Sequence, residues 1–187
     1  MITAPFAHHT VESAPPAARR AMQATARHLG YLPAPVARLA SSPQLLDGFL
    51  KTSALFESTT LEPIAREVLI LTMAARNGCH VCVAMHTARL AALGASPGLI
   101  TALREQRSPD DERLAAIRTF TLEVLATSGA VSAASLRAFL GHGYTAQNAL
   151  EVVLGIGAYT MSTLANRMTR APLDEQLQPF AWTGHTA

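Results

Sequence analysis

Aromatic and charged residues are scarce in this chain, and each scarcity narrows the possible folds. Only 5% of the 187 residues are aromatic and 15% are charged, whereas 49% are hydrophobic. Runs of β-branched residues are few, which disfavours strands, and alanine and leucine dominate, which favours helices. We therefore predict an all-α fold. The length allows one sizeable core, so we expect a single domain over residues 1–187.

The chain also lacks a strong charge of either sign and any long apolar run. Its formal net charge is +2 and its Lys and Arg residues are scattered, so no basic surface for nucleic acid is indicated. The apolar stretches fall short of a membrane span, and the N-terminus MITAPFAHHT does not resemble a signal peptide. We expect a cytoplasmic protein that binds neither nucleic acid nor a membrane.

Cysteine is equally scarce, and its two copies, Cys79 and Cys82, are separated by only two residues. This spacing in a cytoplasmic chain indicates redox or metal chemistry rather than a structural disulfide. If Cys79 opens a helix after Asn77-Gly78, then Cys82 and His86 follow at i+3 and i+7 on the same face. A helix N-terminus favours a thiolate at Cys79, and His86 could take the proton of Cys82.

An acidic residue completes this group if the chain forms a helical hairpin at residues 77–78. Glu67 lies about ten residues before the turn and His86 about nine after it, so at roughly 1.5 Å per residue the two side chains meet. The apolar run at residues 68–71 indicates a buried helix, in which a carboxylate needs a partner. The imidazole of His86 supplies that partner.

This arrangement resembles the core motif of the alkylhydroperoxidase D / carboxymuconolactone decarboxylase superfamily, in its cysteine-bearing peroxidase-related branch. The resemblance covers approximately residues 30–125 and implies an AhpD-like helical bundle with the motif on a central helical hairpin, within residues 60–94. The residues that carry the resemblance are, in order, Glu67, Asn77-Gly78, Cys79, Cys82 and His86.

The resemblance implies a thiol-dependent peroxidase with four catalytic residues. Cys82 would become the sulfenic acid, and Cys79 would be its disulfide partner and proton donor. Glu67 and His86 would form the proton relay. Two cysteines at i and i+3 of a helix have Cα atoms about 5 Å apart, which is within disulfide range.

The same reading implies the partners of the reaction. The substrate would be a small hydroperoxide, and an external dithiol such as a lipoyl or thioredoxin-like protein would reduce the disulfide. No metal or organic cofactor is required. The small-residue surfaces of the last helices and the apolar tail suggest a homo-oligomer, either a dimer, a trimer or a hexamer. This chain departs from the family pattern at one position. The founding peroxidase has a histidine directly before its second cysteine, whereas this chain has Val81 there and its histidine, His80, one position earlier.

Other interpretations of the motif remain. Its cysteines and histidine supply three zinc ligands, and His80 or Glu67 could add a fourth. Covalent haem is excluded, because Val83 occupies the position where the attachment motif needs histidine. A lyase resembling carboxymuconolactone decarboxylase is a second function, although such enzymes generally lack the cysteine pair. A non-enzymatic helical oligomer that senses oxidation through its two cysteines is a third.

Local signals predict where the helices begin and end. Ser42-Pro43, Ser96-Pro97 and Ser108-Pro109 each place a hydroxyl at an N-cap with proline next to it, and Thr145 is a further cap. The tail from residue 169 is predicted to be irregular and to dock on the body or on a neighbouring subunit. The predicted helices span residues 13–29, 36–40, 43–57, 61–76, 79–93, 97–106, 109–128, 132–140 and 146–168.

The last predicted helix contains two further features. A weak internal repeat aligns Glu151 with Glu67 and places Thr163 and Asn166 where the first copy has the two cysteines. This would be a duplicated helical unit that kept its packing and lost its chemistry. The sequence Gly155-Ile156-Gly157 has no preceding strand, so it indicates close helix packing and not a nucleotide loop.

Overall fold

The computed structural model describes residues 6–184, in which helices are the only regular secondary structure. The all-α prediction is therefore confirmed for this part of the chain. None of the helices there is long and apolar enough to cross a membrane. The elements are α1 (Pro16–Leu29), α2 (Ala34–Leu39), α3 (Pro43–Glu57), α4 (Pro63–Arg76), α5 (His80–Ala92), α6 (Pro97–Arg104), α7 (Glu112–Ala126), α8 (Ala133–Gly141), α9 (Ala146–Thr169) and a terminal 3₁₀ helix (Glu175–Phe180).

Three of the four predicted helix caps are confirmed, and one is wrong. Ser42 and Ser96 accept hydrogen bonds from backbone amides three residues later, and Thr145 forms a reciprocal capping box. The predicted cap at Ser108 is wrong, because α7 begins at Glu112 with the Asp111 carboxylate as its cap. Gln106, just after α6, has a positive φ, so the chain turns there. Residues 107–111 then connect the turn to α7.

Helix α4 forms the centre of the molecule. Every residue from position 67 to 75 is buried, and α5, α7 and α9 pack around the helix. Gly155 of α9 allows a close approach to α3 and α4, because a Cβ atom there would lie 2.6 Å from the Phe56 ring of α3 and 3.1 Å from Leu69 of α4. The prediction of close helix packing at residues 155–157 is confirmed at the first of its glycines.

The predicted repeat does not extend to the structure. Met161 and Ser162 occupy the positions that would match the Asn77-Gly78 turn, but they lie inside α9, which is one continuous helix of 24 residues. Glu151 also differs from Glu67 in its partners, because it accepts hydrogen bonds from Thr60. The second copy is therefore a straight helix and not a second hairpin.

The tail contains more structure than the irregular coil that we predicted. A 3₁₀ helix runs from Glu175 to Phe180 and packs on α5, with Leu177 buried. The Arg104 guanidinium donates to the carbonyls of Phe180 and Ala181, and the Trp182 indole donates to the Arg104 carbonyl at 3.2 Å. Positions 185–187 of the tail lie outside the described residues.

Candidate active site

The hairpin turn between α4 and α5 sets the geometry of the site. Helix α4 ends at Arg76, and Gly78 adopts a φ of +64°, a conformation that favours glycine. The Cys79 amide then donates to the Ala74 carbonyl at 2.9 Å, which closes the end of α4. Cys79 becomes the N-cap residue of α5, so the two thiols lie at the start of this helix.

Glu67 and His86 are in direct contact inside the hairpin. His86 Nδ1 lies 2.7 Å from Glu67 Oε2, and both residues are buried. The second carboxylate oxygen lies 3.1 Å from Arg89 Nε, and Arg89 also pairs with Glu57 at 3.2 Å. A chain of alternating charges therefore runs from the surface to the imidazole and fixes its orientation.

Tyr159 of α9 packs against this imidazole. Its ring meets the His86 ring edge-on, with centroids 5.2 Å apart, and its hydroxyl lies 3.2 Å from the Ser53 hydroxyl. Burial is the main cause that raises the pKa of Tyr159 to about 12. The phenol therefore stays neutral and acts as a rigid wall beside His86.

Cys79 and Cys82 are both free thiols, with exposures of 1% and 3%. A hydrogen bond from the Cys82 thiol is the main cause that lowers the pKa of Cys79, and the nearby amides of residues 81 and 82 and the Arg167 charge lower it further. These amides do not form a capping hydrogen bond to the sulfur. The same bond and burial raise the pKa of Cys82 well above its usual value. Of the two thiols, Cys79 is therefore the one that ionises more readily.

Three side chains of α9 complete the site, and the sequence did not reveal their role. Asn166 Nδ2 donates to Cys82 Sγ at 3.3 Å, and Ser162 Oγ lies 4.0 Å from the same sulfur. Both contacts lower the pKa of Cys82, against the larger causes that raise it. Arg167 donates to the Asn77 carbonyl and approaches Gly78. The only earlier signal was the alignment of Asn166 with Cys82 in the weak repeat.

The structure does not bring all of the predicted residues into direct contact. His86 forms no hydrogen bond to either cysteine sulfur, so direct proton transfer from Cys82 to His86 has no geometric basis in this state. His80 is exposed, and Val81 is buried beside the motif. Among residues 6–184, no three His, Cys, Asp or Glu side chains are arranged so that they could hold one metal ion.

Comparisons with known proteins find one matching family model and several solved structures with a similar fold. The carboxymuconolactone decarboxylase family model matches residues 43–122, which include α3, the hairpin and most of α7. An alkylhydroperoxidase AhpD core, an uncharacterized peroxidase-related protein from Ralstonia eutropha JMP134, superposes with a TM-score of 0.82 at 21% identity, covering 92% of this chain and 93% of that one. No curated protein sequence matches the chain.

Two further solved structures share the fold. An uncharacterized peroxidase-related protein from Silicibacter sp. TM1040 has a TM-score of 0.77 at 17% identity, with 92% of both chains covered. The debrominase Bmp8 has a TM-score of 0.76 at 12% identity, covering 96% of this chain and 97% of that one. Residues 43–122 are therefore similar to the carboxymuconolactone decarboxylase family, and the chain as a whole has an AhpD-like fold.

Proposed function

We propose that the chain is a thiol-dependent peroxidase that reduces a small hydroperoxide with the Cys79–Cys82 dithiol. The observation that supports this most is the pair of neighbouring thiols at the start of α5, one with a lowered pKa and one with a raised pKa. Enzymes commonly separate the pKa values of two neighbouring groups so that one acts as a base and the other as an acid. The buried pair of Glu67 and His86 lies on the same helical hairpin.

The first step is a proton transfer between the two sulfurs. The Cys82 proton moves to the neighbouring Cys79 thiolate, and Asn166 and Ser162 stabilise the thiolate formed on Cys82. Cys82 then attacks the terminal peroxide oxygen, and the O–O bond breaks. Cys82 becomes a sulfenic acid, and the alkoxide that leaves takes the proton from Cys79.

The second step forms the disulfide. The Cys79 thiolate attacks the Cys82 sulfur, and the hydroxide that leaves is protonated by the relay of His86 and Glu67. An external dithiol then reduces the disulfide and supplies two electrons and two protons.

The buried Oδ1 atom of Asn166 supports a binding role for the same residue. It has no hydrogen-bond partner among the described residues, although the amide nitrogen is bonded to Cys82. A hydroperoxide O–H group that approaches Cys82 would satisfy this acceptor. Asn166 would then orient the terminal peroxide oxygen towards the sulfur.

Single-turnover kinetics with an alkyl hydroperoxide test the proposal. We expect Cys82→Ser to abolish disulfide formation and peroxide loss, and Cys79→Ser to accumulate a sulfenic acid that reacts with a dimedone-type probe. His80→Ala is the matched control, since His80 is exposed beside the motif. Unchanged turnover in the Cys82 variant would rule the scheme out.

A second candidate is reductive debromination of a brominated aromatic ring. The fold match to the debrominase extends to its complex with 2,3,4-tribromopyrrole, with a TM-score of 0.74 at 13% identity over 96% of both chains. One thiolate would take bromine from the ring as an S–Br bond while the ring carbon takes a proton, and the second thiolate would then displace bromide and form the disulfide of the same dithiol. Release of bromide from a bromopyrrole, compared with peroxide loss at equal concentration, distinguishes the two substrates.

The two other functions considered for the motif, a decarboxylating lyase and a redox sensor, can be tested with the same protein and the same peroxide assay. A decarboxylating lyase would keep its activity after both thiols are alkylated, whereas the peroxidase would lose all of it. A redox sensor would show very slow peroxide turnover together with a change in assembly on oxidation. Rapid turnover that alkylation abolishes would exclude both.

A further inference from the structure

The outer face of α9 is apolar along its whole length, although its inner face carries the site residues. Leu150, Val153, Leu164 and Met168 are 73%, 51%, 52% and 67% exposed. With Gly157 they form a surface that we name the α9 stripe. Their spacing of three, four and seven residues is typical of a seam between two helices. The stripe spans about 27 Å, at roughly 1.5 Å per residue.

Gly157 has no function in packing among residues 6–184. A Cβ atom added there would meet nothing within 4 Å, whereas one added at Gly155 would collide with Phe56. Glycine inside a helix costs about 1 kcal/mol relative to alanine. An exposed glycine at the middle of an apolar stripe is typical of a point where another helix approaches closely.

The two halves of the stripe differ in shape. In the N-terminal half, Leu150 and Val153 project into solvent as isolated apolar side chains. In the C-terminal half, Met161 and Leu164 form one wall of an apolar groove of about 330 Å³, and Leu39 is among the residues of the opposite wall. One half of the surface therefore carries projections and the other half carries a depression.

We propose that the α9 stripe is a two-fold interface with a second copy of this chain, in which the two α9 helices cross antiparallel at Gly157. Residues 150 and 164 are each seven positions from residue 157, so such a crossing places Leu150 opposite the partner's Leu164. Val153 then faces the partner's Met161, and the projections of each copy fill the groove of the other. A parallel crossing would place groove against groove and leave both unfilled.

Charge is consistent with this pairing. In the N-terminal half of the stripe, the only ionisable group between residues 150 and 158 is Glu151, which is buried and bonded to Thr60, so this half brings no exposed charge into the contact. Arg38 lines the groove that this half would fill. The interface would also support the active site, because the inner face of the same helix holds Asn166 against Cys82. The geometry defines a dimer, or a larger even-numbered assembly built from such dimers.

Sedimentation velocity of the full chain tests the pairing. We expect an even-numbered assembly for the native sequence, and a dissociation constant raised at least about tenfold by Leu150→Lys or by Leu164→Glu. The two changes in one chain place the new cation opposite the new anion, so association should recover. Leu93→Glu, at the end of α5, is the control for an added charge off the stripe. A monomer or a trimer, or a double variant no better than either single one, would overturn the pairing.

Cross-linking provides an independent test that does not depend on weakened variants. With Cys79→Ser and Cys82→Ser in the background, Gly157→Cys should form a covalent dimer under mild oxidation, because the two copies of residue 157 meet on the symmetry axis. Leu93→Cys in the same background should not form one. Equal cross-linking at both positions, or none at position 157, would contradict the proposed crossing. A circular dichroism spectrum unchanged from the native one shows that each variant is folded.

Discussion

Cys79 and Cys82 are neighbours on one helical turn, yet their pKa values shift in opposite directions. The hydrogen bond between them is the largest cause of both shifts, so neither value belongs to one residue alone. Asn166, Ser162 and Arg167 then adjust the pair from α9. The reactivity of the motif therefore depends on a third helix as much as on its own sequence.

The donor on Cys82 controls the pKa of Cys79, and two variants separate this effect from packing. Cys82→Ser keeps a hydrogen-bond donor, whereas Cys82→Ala removes it, and the two side chains differ little in size. We expect the Cys79 pKa to be lower in the serine variant than in the alanine variant. The pH dependence of alkylation at Cys79 measures it, and equal values would show that the helix N-terminus and Arg167 account for the whole shift.

Asn166 is expected to stabilise the Cys82 thiolate. Asn166→Ala removes the amide donor at 3.3 Å, and a lost hydrogen bond to a charged group costs about 1.5–3 kcal/mol, so peroxide reduction should slow by roughly ten- to hundredfold. The Cys82 pKa should rise further, as measured by alkylation in a Cys79→Ser background.

Ser162→Ala is the comparison for this effect, because its hydroxyl lies 4.0 Å from the sulfur and should contribute less. A loss of rate in Asn166→Ala without any change in the Cys82 pKa would instead assign Asn166 to structural support alone.

At the scale of helices, local sequence signals correctly predicted those helix starts that depend only on neighbouring residues. Ser42, Ser96 and Thr145 cap their helices because the cap and its amide are three residues apart. The choice of Asp111 over Ser108 depends on how the chain leaves α6, which no local signal specifies. The contact between Glu67 and His86 could be predicted because both lie on one hairpin.

Contacts across distant helices could not be predicted in this way. Asn166 is 84 positions from Cys82, and its approach depends on how α9 docks on the hairpin. That docking depends on Gly155, where the Phe56 ring and Leu69 approach the backbone of α9. The sequence indicated close packing at residues 155–157, but only the packed structure shows which glycine is needed and which side chains α9 presents to the site.

Gly155→Ala tests this docking. Its Cβ would lie 2.6 Å from the Phe56 ring, and over-packing of a core costs typically 1–3 kcal/mol, so we expect that loss in the free energy of unfolding by urea. Gly157→Ala is the matched control, since nothing lies within 4 Å, and at low protein concentration it should stabilise the chain by about 0.5–1 kcal/mol. Two equal effects would show that α9 can shift without cost.

At the scale of the whole molecule, the two thiol shifts connect redox state to folding stability. The unfolded pKa of both cysteines is about 8.5. The pKa of Cys79 is lowered in the folded state. Its contribution to the free energy of unfolding is therefore fully present above about pH 8.5 and is lost as the pH falls through the folded pKa. The pKa of Cys82 is raised in the folded state. Its contribution to the free energy of unfolding is therefore present below the unfolded pKa and is lost as the pH rises through the folded pKa.

Because the two thiols stabilise the folded state over opposite pH ranges, we predict a maximum in the stability of the reduced protein. The free energy of unfolding should rise with pH towards about 8.5 and fall above it, relative to a Cys79→Ser, Cys82→Ser double variant measured in the same buffers. Urea denaturation with a non-thiol reductant measures this difference. The oxidised protein has no titrating thiols, so its difference from the double variant should not vary with pH in this range. A difference that is flat for the reduced protein as well would mean that the two sulfurs do not share a proton, and the first step of the proposed reaction would lose its basis.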